Sequence, residues 1–254
     1  MSQVFKPNKI VALVTYLLCF TLLGSILVYL ILYLVSLGYN LEYGYLLNNI
    51  NKKASEIGEL AHNAILLSKC VTNIIIYLIA IVVIVIFTRD ELKIDFDKVK
   101  ENPKFYLLFS LTAIAFVGLA YGINQLNLLL PQESMNQQSL VEMFKSNFGI
   151  PIIILTIVFA PLIEELVFRK CIFTFTKNSP VIVRFLISSV AFTLVHALSS
   201  IGSFEAGYFF LLCVPYFLDS MLLCAIYYFG KENVYMSFLA HFLNNVLALI
   251  LVLI

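Results

Sequence analysis

Charge is scarce in this chain. Of its 254 residues, 12% are Asp, Glu, Lys or Arg, against about a quarter in soluble domains. Sixteen basic residues nearly balance fifteen acidic ones, for a net charge of +1. No basic patch stands out, so nucleic acid finds no footing as a partner. Paired cysteines are missing too. Cys19, Cys70, Cys171, Cys213 and Cys224 contain no CxxC spacing and lie mostly in apolar runs. They read as small core residues, not as metal or redox pairs. There is no GxSxG elbow and no HExxH helix, which leaves the serine-hydrolase and zincin routes unsupported. No internal repeat or low-complexity tract occurs, so inverted-repeat transporter folds gain nothing.

What the chain has in abundance is hydrocarbon. Its residues are 61% hydrophobic, with a mean hydropathy of +0.97. Apolar runs long enough to cross a ~30 Å hydrocarbon layer recur along it. The expected fold is all-α, a polytopic transmembrane helix bundle. Seven spans are expected, near residues 10–36, 70–88, 105–130, 149–175, 183–201, 207–229 and 235–254. An eighth crossing follows if Pro215 breaks the sixth. The first run is too long for a signal-peptide core and lacks a small-residue cleavage site, so it reads as a retained anchor. The chain divides into residues 1–148, spans one to three with their loops, and residues 149–254, which carry the chemistry.

Eleven of the sixteen Lys and Arg fall in the N-terminal tail, 89–104, 170–184 and 230–234; four fall in the opposite connections. The positive-inside bias puts the N-terminus in the cytoplasm and the C-terminus outside. Segment 51–67 has helical apolar spacing and reads as an outer interfacial helix containing His62, a bland lone histidine. Segment 89–102, "RDELKIDFDKVKEN", alternates in charge and reads as a solvated cytoplasmic loop.

Against this background the in-span ionisable residues form a short list: Glu164, Glu165, Arg169, His196, Asp219 and His241. Such residues are costly in a bilayer and mark function by default. Glu165 and Arg169 are four apart and share a helix face, so they pair, and the pair reads as mainly structural. Glu164 is turned about 100° away and has no partner in its own helix. An unpaired carboxylate in low dielectric takes a proton or finds a histidine, a metal or another cation. Pro161 removes a backbone donor three residues earlier and should bend the helix there. His196 ends "FTLVH", one turn after Phe192; His241 opens "HFLNN" and shares a face with Asn245. Counting 1.5 Å per residue, Glu164 lies ~20 Å from the outer end of its span, His196 ~20 Å from its inner end and His241 ~10 Å from its inner end. Those depths overlap, so one wet cavity is expected to hold all three. Asp219 either lines that cavity or makes a helix-packing hydrogen bond.

One glutamate and two histidines admit two mechanisms. Glu164, His196 and His241 hold a Zn²⁺ ion with a position open for water. Or Glu164 is general base for a water oriented by His196, with His241 and Asn245 donating to the oxyanion. Both end in amide hydrolysis.

"EELVFR" (164–169), "FTLVH" (192–196) and "HFLNN" (241–245), in that order on late spans, resemble the EExxxR, FxxxH and HxxxN motifs of the CPBP family of intramembrane proteases. That family includes the CaaX prenyl endopeptidases and the Abi-type bacteriocin-immunity proteins. The resemblance covers about residues 150–250. It implies catalytic roles for Glu164, His196, His241 and Asn245, with Glu165 and Arg169 in support. The expected protein is therefore a membrane-embedded endopeptidase, metallo- or glutamate-dependent. It would cut a membrane-associated or lipidated peptide or protein near the cytoplasmic face, with membrane lipid as its other partner. Two alternatives stand beside it: a non-catalytic immunity or binding protein on the same scaffold, and a proton-coupled transporter.

Overall fold

No proline or glycine interrupts residues 59–101, and the chain forms one 43-residue helix there. The structure, a computed structural model, describes residues 7–131, 135–202 and 205–253. Among the described residues there are helices and no strands. In chain order these are α1 (Pro7–Tyr39), α2 (Tyr43–Asn48), α3 (Ala54–Ile57), α4 (Glu59–Glu101), α5 (Pro103–Leu129), α6 (Met135–Phe144), α7 (Gly149–Phe175), α8 (Val181–Ala197), α9 (Ala206–Phe229) and α10 (Val234–Leu253). Six of them, α1, α4, α5, α7, α9 and α10, are long and apolar enough to cross a membrane. The fifth expected span, α8, is an apolar helix of only 17 residues and closes in a 3₁₀ turn at Leu198–Ser200.

Three expectations need correction. Residues 89–101 are not a loop, and residues 59–67 are not a separate interfacial helix; both continue the helix of the second span. Good helix formers fill the charged stretch and nothing breaks it before Asn102, which precedes Pro103. Nor is the charged stretch wholly solvated, since Asp95 is fully buried. Pro215 does not divide the sixth span, because α9 runs unbroken through it, and the eighth crossing falls away.

α7 accommodates Pro161 by a change of pitch. A π-helical turn at Leu155–Phe159 precedes the proline and a second spans Leu166–Ile172. π turns widen the backbone repeat, so a residue without an N–H and with a bulky ring fits. Glu164 and Glu165 sit on the short α-helical stretch between them.

The main core joins both halves of the chain. Tyr16 of α1, Ile76, Ala80 and Ile84 of α4, and Ile163, Leu166, Val167 and Phe168 of α7 bury together with Phe192, Tyr227 and Val234. Large apolar residues on the outer faces stay open, among them Leu107 at 72% and Ile150 at 74%. Core burial on one side and bare hydrocarbon on the other is what a helix facing lipid requires.

Candidate active site

Glu165 and Arg169 pair as their spacing predicts, and the pair reaches further than its own helix. Arg169 Nε donates to Glu165 Oε2 at 3.1 Å. Its Nη1 donates to Ser188 of α8 at 2.8 Å and its Nη2 to Ser220 of α9 at 3.2 Å. Ser188 in turn donates to the Phe168 carbonyl. Both charged groups are fully buried. Buried ions persist only when their hydrogen-bonding capacity is met, and here three helices meet it. Ser188 and Ser220 escaped the sequence reading. A lone serine in an apolar helix carries no signal of its own beyond being small and polar.

The second oxygen of Glu165 does something the sequence did not suggest. Its Oε1 lies 3.1 Å from His241 Nδ1 on α10. A carboxylate bonded to arginine accepts, so His241 Nδ1 carries the hydrogen and Nε2 faces away from Glu165. His196 is fixed in the same way by a different device. Its Nδ1 lies 2.9 Å from the Phe192 carbonyl, which can only accept. The Phe192 ring stacks on the imidazole at 4.1 Å, and the Tyr216 ring stands 5.2 Å away. The FxxxH spacing thus supplies both the acceptor and the stacking face.

Both remaining Nε2 atoms point at one oxygen. His196 Nε2 is 3.6 Å and His241 Nε2 3.7 Å from Glu164 Oε2. The structure therefore brings Glu164, His196 and His241 together from α7, α8 and α10. In their neutral forms the two nitrogens present lone pairs, and so does the carboxylate. Three acceptors facing one another need a proton, a water or a cation between them. Tyr16 of α1 and Tyr77 of α4 also lie within electrostatic reach of Glu164. Neither was foreseen, because neither belongs to a motif.

Asn245 is placed one turn from His241, and its Nδ2 donates to the Thr156 carbonyl in the first π turn of α7 at 3.0 Å. Asp219 accepts from Asn124 of α5 at 3.1 Å, which is the helix-packing bond foreseen as one of its two roles. Its other oxygen, Oδ1, is buried without a hydrogen-bond partner.

The donor types of Glu164, His196 and His241 suit zinc. A tetrahedral ion with bonds of about 2.1 Å sets its ligands about 3.4 Å apart, so these pairs would have to close slightly. As placed, no three His, Cys, Asp or Glu side chains among the described residues form a metal-holding group.

Comparison with known proteins falls on these helices. Residues 146–247 match the family described as type II CAAX prenyl endopeptidase Rce1-like. A protein of Mycoplasma capricolum subsp. capricolum, described only as uncharacterized, is 27% identical over 196 residues, covering 71% of this chain and 55% of that protein. The chain thus spans about half the length of the curated relative it matches. No solved structure matches. Over residues 146–247, by its motifs and by the Rce1-like match alike, the chain is similar to the CPBP/CAAX protease family.

Proposed function

We propose that this protein is a membrane-embedded endopeptidase that hydrolyses a peptide bond of a membrane-associated or lipidated substrate. The reading rests on one observation above all: two imidazoles, each with its Nδ1 tied off, aim Nε2 at the same oxygen of Glu164. The match to the Rce1-like family supports a protease in general.

In this reading Glu164 is the general base. A water between Glu164 and His196 gives its proton to Glu164 as its oxygen attacks the scissile carbonyl. His196 orients that water. His241, held upright by Glu165 and carrying a hydrogen on both ring nitrogens in this step, donates from Nε2 to the oxyanion that develops, together with the second amide hydrogen of Asn245. Glu164 then returns the proton to the leaving amine. The Glu165–Arg169 pair keeps α7, α8, α9 and α10 in register around this chemistry. A Zn²⁺ ion on Glu164, His196 and His241 is the second reading, favoured by the converging lone pairs; it would supply Lewis-acid activation of the water.

The protein is proposed to sit in the cell membrane with its N-terminus in the cytoplasm. Lys9, Glu91, Asp95, Lys98, Lys170, Arg184 and Glu232 meet at one end of the bundle. That end holds most of the positive charge, which the positive-inside bias assigns to the cytoplasm. Glu164 is six residues, ~9 Å, from Lys170 along α7. Water reaches the site most readily from that side, so the scissile bond lies near the cytoplasmic face.

Comparative membrane proteomics of a wild-type strain and a Glu164→Gln strain tests the function. Uncleaved precursors should accumulate in the variant. Identical peptide profiles at equal protein level would remove the protease reading. Substrate-driven proton flux in vesicles would install the transporter in its place.

A further inference from the structure

Lys231 and Glu232 both adopt left-handed backbone, with φ of 60° and 52°. Residues other than glycine stay there only when their surroundings hold them. Three helices do so. Lys98 of α4 donates to the Lys231 carbonyl at 3.2 Å, Lys170 of α7 to the Glu232 carbonyl at 2.8 Å, and Arg184 of α8 to Glu232 Oε1 at 2.8 Å. At the centre is Asp95, fully buried near the C-terminal end of α4. Its Oδ2 accepts from the Val234 N–H at 2.8 Å and pairs with Lys170, while its Oδ1 accepts from Lys98 at 3.1 Å. Its carbonyl accepts from Asn233 Nδ2 at 2.8 Å.

Val234 opens α10, so Asp95 satisfies one of the N–H groups that a helix start leaves without an intrahelical partner. A carboxylate is also favoured there by the helix dipole. His241 lies seven residues on, two turns and ~10 Å along the same face. Lys170 lies on α7, six residues beyond Glu164. Asp95 thus grips the two helices that carry the Glu164–His241 and Glu165–His241 contacts, within two turns of them. We propose that Asp95 is a positioning residue: it sets the height and rotation at which α10 presents His241 to the two glutamates. The assignment rests on the reading that His241 works beside Glu164. It adds to the site a residue from a helix outside all three motifs.

The chain has three histidines, so ¹⁵N-imidazole labelling gives three ring systems to follow in folded protein in nanodiscs. His62, held at the far end of α4 by the Lys52 carbonyl, serves as internal control. In Asp95→Ala the His241 ring signals should shift or broaden while those of His62 stay put. Amide exchange over residues 234–238 should quicken roughly tenfold, the scale of a lost cap. Asp95→Asn should restore most of both, because its amide oxygen still accepts from Val234. Should Asp95→Ala fail to fold, Asn233→Ala releases the same loop with the carboxylate intact and should move the same signals. Unchanged His241 signals in folded Asp95→Ala or Asn233→Ala overturn the proposal. No substrate is needed for this readout. A wild-type protein that hydrolyses nothing would sink the protease reading and leave the role of Asp95 to be decided by the ring signals.

Discussion

Glu165 bridges Arg169 on its own helix and His241 on α10, with one oxygen for each, both at 3.1 Å. A residue expected to serve mainly structure therefore also holds a residue of the candidate site. The two roles separate by mutation. Glu165→Ala strands a fully buried arginine and should cost about 3–5 kcal/mol of stability. Replacing Glu165 and Arg169 together by leucine removes both charges and should recover most of that loss, since an apolar pair needs no partners. Hydrolysis should stay absent in the double variant because His241 has lost its anchor. Thermal unfolding in detergent, run beside a cleavage assay, reads both. A double variant as unstable as the single one would mean that the pair contributes more than charge balance.

Glu164→Gln and His196→Ala should abolish hydrolysis while leaving the fold intact. Glu164 is bonded to nothing structural, and His196 Nδ1 holds only a carbonyl of its own helix. Their unfolding midpoints should stay within about 4 °C of wild type, the shift that roughly 1 kcal/mol produces in a chain of this size. A collapse in folded yield matching that of Arg169→Ala would recast the cluster as purely structural.

The motifs were legible because each lies within one turn of one helix. The second glutamate and the arginine of EExxxR, and the end residues of FxxxH and HxxxN, are each four apart, so the spacing alone puts each pair on one helix face. The partners across helices were not legible. Ser188, Ser220 and Tyr16 reach the site only because α8, α9 and α1 pack where they do, and nothing in their local sequence says so. Asp95 was misread for a sharper reason. In a run of alternating charge an acidic residue looks solvated, and its burial depends on a loop 138 positions away, at Asn233. The length of α4 escaped for the opposite cause. The hydropathy signal ends with the apolar stretch, whereas the helix ends where proline stops it, at Pro103.

Asn245→Ala should lower turnover by about 10²–10³-fold, the usual loss for one oxyanion donor, with little change in substrate affinity. Its bond to the Thr156 carbonyl predicts a small accompanying loss of stability, about 1 kcal/mol. Steady-state kinetics checks this: a rise in KM at constant kcat would move Asn245 from transition-state stabilisation to substrate binding.

Removal of divalent ions distinguishes the two chemistries. The general-base reading expects activity to survive exhaustive treatment with 1,10-phenanthroline. Loss of activity, restored by one equivalent of zinc in wild type and not in His196→Ala, would establish the metal reading instead.

Sidedness is open to thiol labelling. Lys231 and Glu205 are exposed at opposite ends of α9. A membrane-impermeant reagent applied to intact cells should label Glu205→Cys and spare Lys231→Cys, and inverted vesicles should reverse the pattern. The opposite result would invert the topology and move the scissile bond to the outer face.

The most direct test of the central claim is isotopic. Wild-type and Glu164→Gln proteins are reconstituted into proteoliposomes and incubated in H₂¹⁸O with membrane proteins extracted from the Glu164→Gln strain. Hydrolysis incorporates one solvent oxygen into each new C-terminal carboxylate, so wild type should yield new C-termini carrying ¹⁸O and Glu164→Gln should yield none. Equal ¹⁸O incorporation by both proteins, or none by either, would contradict a Glu164-dependent peptide hydrolysis.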